Sequence, residues 1–510
     1  MATALPRDAV VAVIGAGAMG AGIAQIAAQA GHRVLLQDTR EGAARQAQQK
    51  VANTFASLAS RGKLAADAAN AAAARIEPVA DLQALSRAEL VVEAIVEDLA
   101  IKRRLLADLE AIVAADAILA TNTSSLSVTA LAAGLRGPER VVGMHFFNPA
   151  PILPLVEVVS GLATSRAVAD TVYATAAAWG KTPVHAASTP GFIVNRCARP
   201  FYAEALRLLA ERASDHATLD AVMREAGGFR MGPFELMDLI GHDVNFAVTR
   251  SVWDAYFNDP RFLPSVLQRE LVDAGYLGRK SGRGFYDYAA GAAKPVPSAA
   301  SPCSAPPQIS VHGDLGPARA LVARWRKGGV RVSEENAVPQ FPDGAVACGG
   351  AWLVLTDGRT ATARAAATGA RRLVLFDLAL DYATCTRLAI ACDDGCDADA
   401  FAGACGALQA AGIAASRLDD VAGLAVMRTV AMLANEAADA VTQGVASVAD
   451  LDVAMQKGVS YPRGPLAWAE SIGVPRVRDV LVNLAAHYGE DRYRVSPLLS
   501  RRAATGAPLA

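Results

Sequence analysis

The sequence lacks a surplus of charge of either sign: 49 Lys and Arg face 50 Asp and Glu, a net charge of −1 over 510 residues. That balance excludes a global basic field for nucleic acid and an acidic tail. Charged residues are sparse at 19%, whereas hydrophobic residues reach 53%, much of it alanine. Burial of so much apolar surface offsets chain entropy, so disorder is excluded as the dominant state. Cysteine is scarce and odd in number, seven at irregular spacing. This argues against a disulfide framework and for a reducing, cytoplasmic compartment. Cys392 and Cys396 have no histidine nearby, so no metal site is expected. No Gly-x-Ser-x-Gly elbow, Walker loop or arginine-rich patch occurs either. The length predicts about three or four domains.

Only residues 10–31 are long and uncharged enough to suggest a membrane span. Patterned glycines, two glutamines and an acidic Asp8 before the stretch point instead to buried strand, tight turn and buried helix. No membrane association is expected. From Val10 to about Pro183, strand-like runs alternate with helical stretches, which predicts a parallel sheet wrapped by helices. The strands are VVAVIG, HRVLLQD, ELVVEAI, AILATN, RVVGMHFFN and LVEVV. After Thr189-Pro190-Gly191 the periods become helical, and Ala, Pro and Ser dominate 291–318, the composition of a linker. Short strands return over 319–415 as a small α/β module, to which no nucleotide is assigned.

The tail is helical and repeats the earlier helical segment. A shift of 232 residues aligns Gly191 with Gly423, Arg196 with Arg428, Glu204 with Glu436, Asp220 with Asp452 and Gly232-Pro233 with Gly464-Pro465. In the second copy Met427 replaces Asn195, and no nucleotide domain is expected immediately before it.

Gly15-Ala16-Gly17-Ala18-Met19-Gly20 follows a strand and opens a helix, so its free N–H groups and dipole suit a pyrophosphate. Asp38, eighteen residues past Gly20, ends the next strand. It would accept from a ribose 2′-hydroxyl and repel a 2′-phosphate, which predicts NAD over NADP, with Arg40 nearby as a softening influence. Glu157 interrupts the apolar run Leu155–Val159 and needs a partner if buried. His145 lies twelve residues earlier, across a proline-rich connection. Paired, the two form a general base with a fixed tautomer; the alternatives are a structural histidine and a strand-edge glutamate.

The glycine motif, Asn122-Thr-Ser124-Ser-Leu126, His145-Phe-Phe-Asn148-Pro149, Leu155-Val-Glu157 and Pro190-Gly-Phe-Ile-Val-Asn195-Arg196 occur in order. Together with Met231–Leu236 and Gly278–Phe285 they closely resemble the L-3-hydroxyacyl-CoA dehydrogenases. The spacer and second copy resemble the long members of that family. Residues 258–288 look most like the branch that acts on 3-hydroxyadipyl-CoA in phenylacetate catabolism.

The resemblance implies a Rossmann-type domain over 7–188 and a helical C-terminal domain over 189–290. A linker (291–318), a degenerate α/β spacer (319–415) and a second helical copy (416–505) would follow. It implies NAD-dependent oxidation of an (S)-3-hydroxyacyl-CoA, with His145 as base, Glu157 orienting it, and Ser124 and Asn195 bonding substrate oxygens. Ala18, Met19, Glu97, Lys102, Asn122, Asn148 and Lys280 join the glycines and Asp38 as cofactor contacts. Thr54, Arg61 and Lys63 fall where the family meets coenzyme A, although two basic residues are equally a solvated surface. Self-association through the helical domains and a purely structural second copy are also implied. The competing readings are 3-hydroxybutanoyl-CoA as substrate in fatty-acid or butyrate metabolism, a CoA-independent hydroxyacid dehydrogenase, and a non-catalytic subunit.

Overall fold

A computed structural model describes residues 3–509. The chain forms two compact units: one runs to Arg196 and includes Gln443–Val459, and the other comprises Cys197–Thr442 and the chain from Ser460 on.

In the first unit, β1 (Val10–Ile14), α1 (Ala18–Ala30) and β2 (Arg33–Gln37) form the strand–helix–strand start of an open sheet. They are followed by α2 (Ala43–Ser60), α3 (Ala66–Ala74), β3 (Ile76–Val79), β4 (Leu90–Glu93), α4 (Leu99–Ile112) and β5 (Ile118–Thr121). The unit continues through α5 (Val128–Ala132), β6 (Val141–Phe146), β7 (Leu155–Ser160), α6 (Arg166–Ala178) and β8 (Thr182–Ala187). The uncharged stretch at 10–31 is therefore strand, turn and helix, as its glycines implied. No described helix is long and apolar enough to cross a membrane.

The sheet order is β3-β2-β1-β4-β5-β6-β7-β8. All neighbours are parallel except β6 and β7. Val11, Val13, Val34, Leu36, Val92, Val142, Met144 and Val156 fill its core. Two strands escape the sequence pattern, β3 and β8. Each contains a proline, Pro78 and Pro183, and each is an outer strand, the place where a missing N–H is tolerated.

The helices α7 (Val194–Cys197), α8 (Arg199–Ala210), α9 (His216–Glu225), α10 (Pro233–Ile240), α11 (His242–Ala255) and α12 (Val266–Asp273) make up the first helical copy. Next come β9 (Gln308–His312), α13 (Leu321–Lys327), β10 (Arg331–Glu335), β11 (Ala345–Cys348), β12 (Ala351–Leu355), α14 (Ala361–Thr368), β13 (Leu373–Phe376), β14 (Arg387–Cys392), α15 (Ala398–Ala410) and β15 (Ala414–Arg417). The second copy consists of α16 (Val426–Thr442), α17 (Val448–Gly458), α18 (Pro465–Ile472), α19 (Val474–Tyr488) and α20 (Pro497–Thr505).

Shifted by 232, α10 coincides with α18 and α6 with α15. The one break in register is informative. The segment that is continuous as α16 is split into α7 and α8 in the first copy, where Pro200 stands in place of Met432. Pro200 lacks the N–H that would bond the Arg196 carbonyl, and its ring crowds that oxygen.

The expectation of a linker over 291–318 needs correction. Gln308–His312 is a strand of the module's seven-stranded sheet, its Ile309 and Val311 buried and its alternation masked by neighbouring Ala, Pro and Ser. The small α/β module expected before the second copy carries part of the first sheet's pattern. Strands β12 to β15 repeat the parallel, antiparallel, parallel succession of β5 to β8. The repeat thus reaches back into the module, which is a reduced form of the first sheet.

Both copies begin with a left-handed pair: Gly191 and Phe192 at φ 75° and 46°, Gly423 and Leu424 at φ 77° and 53°. A Cβ on Gly423 would also stand 3.1 Å from Cβ of Arg428. Gly423→Ala is expected to cost at least about 1–2 kcal/mol of unfolding free energy. It should leave kcat unchanged where the protein is folded; denaturant titration beside an activity assay checks both.

Candidate active site

The glycine turn follows β1, next to β4, where the strand order reverses, the crevice in which open α/β sheets hold ligands. Gly15 takes φ 97°, and a Cβ there would meet the Ala94 carbonyl at 2.5 Å; a Cβ on Gly20 would collide with the Gly15 carbonyl. Nothing lies within 4 Å of a Cβ on Gly17, so that side of the turn is open for a pyrophosphate. Ala18 and Met19 open α1.

Asp38 Oδ2 accepts from Ala16 N at 2.7 Å and from Arg40 Nη2 at 3.0 Å. The Arg40 guanidinium, helped by the Ala16 and Arg40 amides, holds the Asp38 carboxyl at about 2 against its partial burial. The Asp38 carboxylate, as acceptor, and the open turn fit a dinucleotide with a free 2′-hydroxyl.

A second group forms at the ends of β4 and β5. Glu93, fully buried, accepts from Lys102 Nζ at 2.6 Å, Thr121 Oγ1 at 2.8 Å and Ile95 N at 2.7 Å. Lys102 is 1% exposed and lies 3.3 Å from Glu97 Oε2. The other oxygen of Glu97 gathers Thr123 Oγ1 at 2.6 Å, Ser124 N at 2.9 Å and Ser125 N and Oγ at 3.1 and 2.9 Å. Burial pushes the Glu97 carboxyl up, but Thr123, Lys102 and the two serines together bring it below the usual range. Glu97 and Lys102, expected as cofactor contacts, thus hold the loop that carries Ser124. The sequence reading missed Glu93, although it interrupts an apolar run as Glu157 does, and the same cost of burial identifies it.

Antiparallel register places His145 directly opposite Glu157. His145 Nδ1 donates to Glu157 Oε2 at 2.7 Å, with both side chains nearly excluded from solvent. The second oxygen, Oε1, accepts from Ile193 N at 3.1 Å and Val194 N at 2.9 Å, at the start of α7. One carboxylate therefore orients the imidazole and anchors the helix bearing Asn195. Asn195 Nδ2 donates to the Ser124 carbonyl at 3.4 Å, which joins the Ser124 loop to the pair. Asn122 Oδ1 accepts from Phe146 N at 2.8 Å, next to His145. Phe147 and Phe192 flank the imidazole, and Asn148 is exposed at the end of the turn.

Thr54 is exposed on α2, and Arg61 and Lys63 are exposed in the turn after it. Lys280 belongs to the second unit, where it pairs with Asp243 at 2.5 Å.

The duplicate carries no equivalent chemistry. At the 232 shift, Asp377 stands for His145, Ala389 for Glu157 and Met427 for Asn195. Asp377 accepts from Ala425 N, Val426 N and Met427 N at 2.7–2.9 Å, so the carboxylate there closes the start of a helix.

The NAD-binding-domain model of the 3-hydroxyacyl-CoA dehydrogenases matches residues 10–189, and their C-terminal-domain model matches 191–288 and again 423–508. The chain belongs to the 3-hydroxyacyl-CoA dehydrogenase family. It is an NAD-dependent oxidoreductase of 3-hydroxyacyl-CoA. A 3-hydroxybutyryl-CoA dehydrogenase "reduced Rossmann-fold domain" matches 353–421, in accord with the reduced sheet. The 3-hydroxyadipyl-CoA dehydrogenase of Escherichia coli K12 is 43% identical over 97% of both chains. A probable 3-hydroxybutyryl-CoA dehydrogenase of Deinococcus radiodurans is 41% identical over 54% of this chain and 99% of its own. A crystal structure titled 3-hydroxybutyryl-CoA dehydrogenase, from E. coli K12, superposes with TM-score 0.89 at 42% identity over 98% of each chain.

Asp38→Ser removes the negative charge and leaves Arg40 free for a phosphate. The kcat/KM ratio of NADP to NAD should rise at least about 10-fold. In the unmodified protein NAD should remain the preferred cofactor from pH 8 to pH 5, because a carboxyl held at about 2 is ionised throughout. Steady-state kinetics with both cofactors across that range checks each expectation.

Proposed function

We propose that the preferred substrate is (S)-3-hydroxyadipyl-CoA, oxidised to its 3-oxo product in phenylacetate catabolism. The relative that carries that name matches over nearly its whole length. The observation that carries the chemistry is the buried His145–Glu157 pair beside the open glycine turn. With Nδ1–H committed to Glu157, Nε2 is the imidazole nitrogen available to take the proton of the 3-hydroxyl. NAD, when bound, supplies the hydride acceptor. Glu157 stabilises the imidazolium that forms, and Ser124 and Asn195 hold the substrate oxygens so that C3 presents its hydrogen.

Gly15, Gly17, Ala18, Met19, Gly20 and Asp38 would hold the dinucleotide, with Glu97, Lys102, Asn122, Asn148 and Lys280 as further contacts. Thr54, Arg61 and Lys63 would meet coenzyme A. Neither basic side chain makes an ion pair among the described residues, which leaves both free for phosphates.

We assign the chain to the cytoplasm, in keeping with seven free cysteines. We also infer self-association through the helical domains, supported by exposed Leu239, Val244, Phe257, Leu263 and Val266 on the first helical copy.

A second reading, 3-hydroxybutanoyl-CoA, is favoured by the name on the full-length crystal structure. NADH production from the two acyl-CoA substrates decides between them. The adipyl substrate is expected to show the higher kcat/KM, and equal efficiency on both would sink that preference. His145→Gln should lower kcat by about 10²–10⁴-fold; a loss confined to KM would contradict its role as base.

A further inference from the structure

The segment Gln443–Val459 belongs by sequence to the vacant second copy, yet it is part of the compact unit that holds the catalytic pair. Three contacts fix it there. Ala187 N, at the end of β8, donates to the Val445 carbonyl at 2.8 Å. Arg196, the buried neighbour of Asn195, donates Nη1 to Gln443 Oε1 at 2.8 Å. Helix α17 packs on β7 and β8, and its last residue, Gly458, leaves so little room that a Cβ there would stand 2.7 Å from Leu155 Cδ2 and 3.0 Å from Val194 Cγ2.

The same contacts recur with the copies exchanged. Asp419 N donates to the Ala213 carbonyl at 2.8 Å, and Arg428 Nη1 donates to Glu211 Oε2 at 3.1 Å. Each of these four residues is the earlier set shifted by 232: 187 and 419, 445 and 213, 196 and 428, 443 and 211. Residue i of one copy meets j of the other, and j meets i, which is the self-complementary pattern of a two-fold interface contained in one chain.

We propose that Gln443 and Gly458 of the second copy are positioning residues for the reaction. They fix α7, whose amides hold Glu157 and whose Asn195 reaches the Ser124 loop. Gln443 sets the guanidinium next to Asn195, and Gly458 lets Val194 keep its N–H on Glu157 Oε1. A copy without chemistry of its own thereby sets the geometry of the copy that has it. A displacement of α7 acts on the turnover step and spares the glycine turn and Asp38, which lie at the opposite side of the sheet order.

Gln443 is exposed, so its replacement tests the contact with little effect on packing. In the full-length protein, Gln443→Met removes the acceptor at constant size. It is expected to lower kcat at least about 10-fold, with the KM for NAD within about 2-fold and an unchanged melting temperature. Gln443→Glu restores an acceptor, as Glu211 provides for Arg428, and should return kcat to within about 3-fold of the parent. Gly458→Ala reaches α7 through Val194 instead and should show the same selective loss of kcat, whereas Gln456→Ala on the exposed face of α17 should not.

Full kcat in both Gln443→Met and Gly458→Ala overturns the inference. So do equal losses in the Met and Glu variants, or a KM for NAD that rises in step. The inference rests on the catalytic roles given above, and the two fail differently. A fully active His145→Gln removes those roles, whereas an inactive His145→Gln beside a fully active Gln443→Met removes only the positioning role.

Discussion

The buried carboxylate of Glu157 is the constraint on which the site depends. A charge in that position, flanked by Val156 and Val158 in a closed strand, is tolerable only if every lone pair is engaged. One oxygen takes the imidazole N–H of His145 and the other takes two amides at the start of α7. The antiparallel turn between β6 and β7 makes the first contact obligatory, because only that pairing sets the two residues face to face. The left-handed backbone at Gly191-Phe192 makes the second possible by turning the amides inward. Sheet register, chain reversal and the orientation of the base therefore follow from satisfying one group.

The duplicate shows what happens when that constraint is relaxed. Its helix start keeps the left-handed pair and still presents amides to a buried carboxylate, but the carboxylate is now Asp377, at the position of the histidine. With Ala389 opposite, no imidazole needs orienting. The polar bookkeeping of the backbone has been preserved where the chemistry has not, as expected if buried amides are costly to strand and a catalytic pair is dispensable to folding.

Much of this was legible in the sequence. The glycine turn, Asp38, the His145–Glu157 pair and the duplication with its Asn195-to-Met427 change can each be argued from residue type and spacing. Glu93 was legible by the same cost of burial but lay in a run read only as a strand. That Lys102 is enclosed between the carboxylates of Glu93 and Glu97 was not legible, because a sequence carries no sign of such a pairing. The strand at 308–312 was hidden by its composition, and β3 and β8 by their prolines. The contacts of Gln443 with Arg196 join residues 247 positions apart, and nothing local in either segment marks them.

Those two prolines have a further consequence. An open sheet of eight strands exposes two rows of unpaired backbone groups, each a template for a strand from another molecule. Pro78 and Pro183 sit in those outer strands, where each deletes a donor from the row. At β8 the Ala187 amide is in addition already committed to Val445. A chain so rich in apolar residues thereby terminates its main sheet at both ends, and protection against edge-to-edge aggregation is written into the same strands that were hardest to recognise.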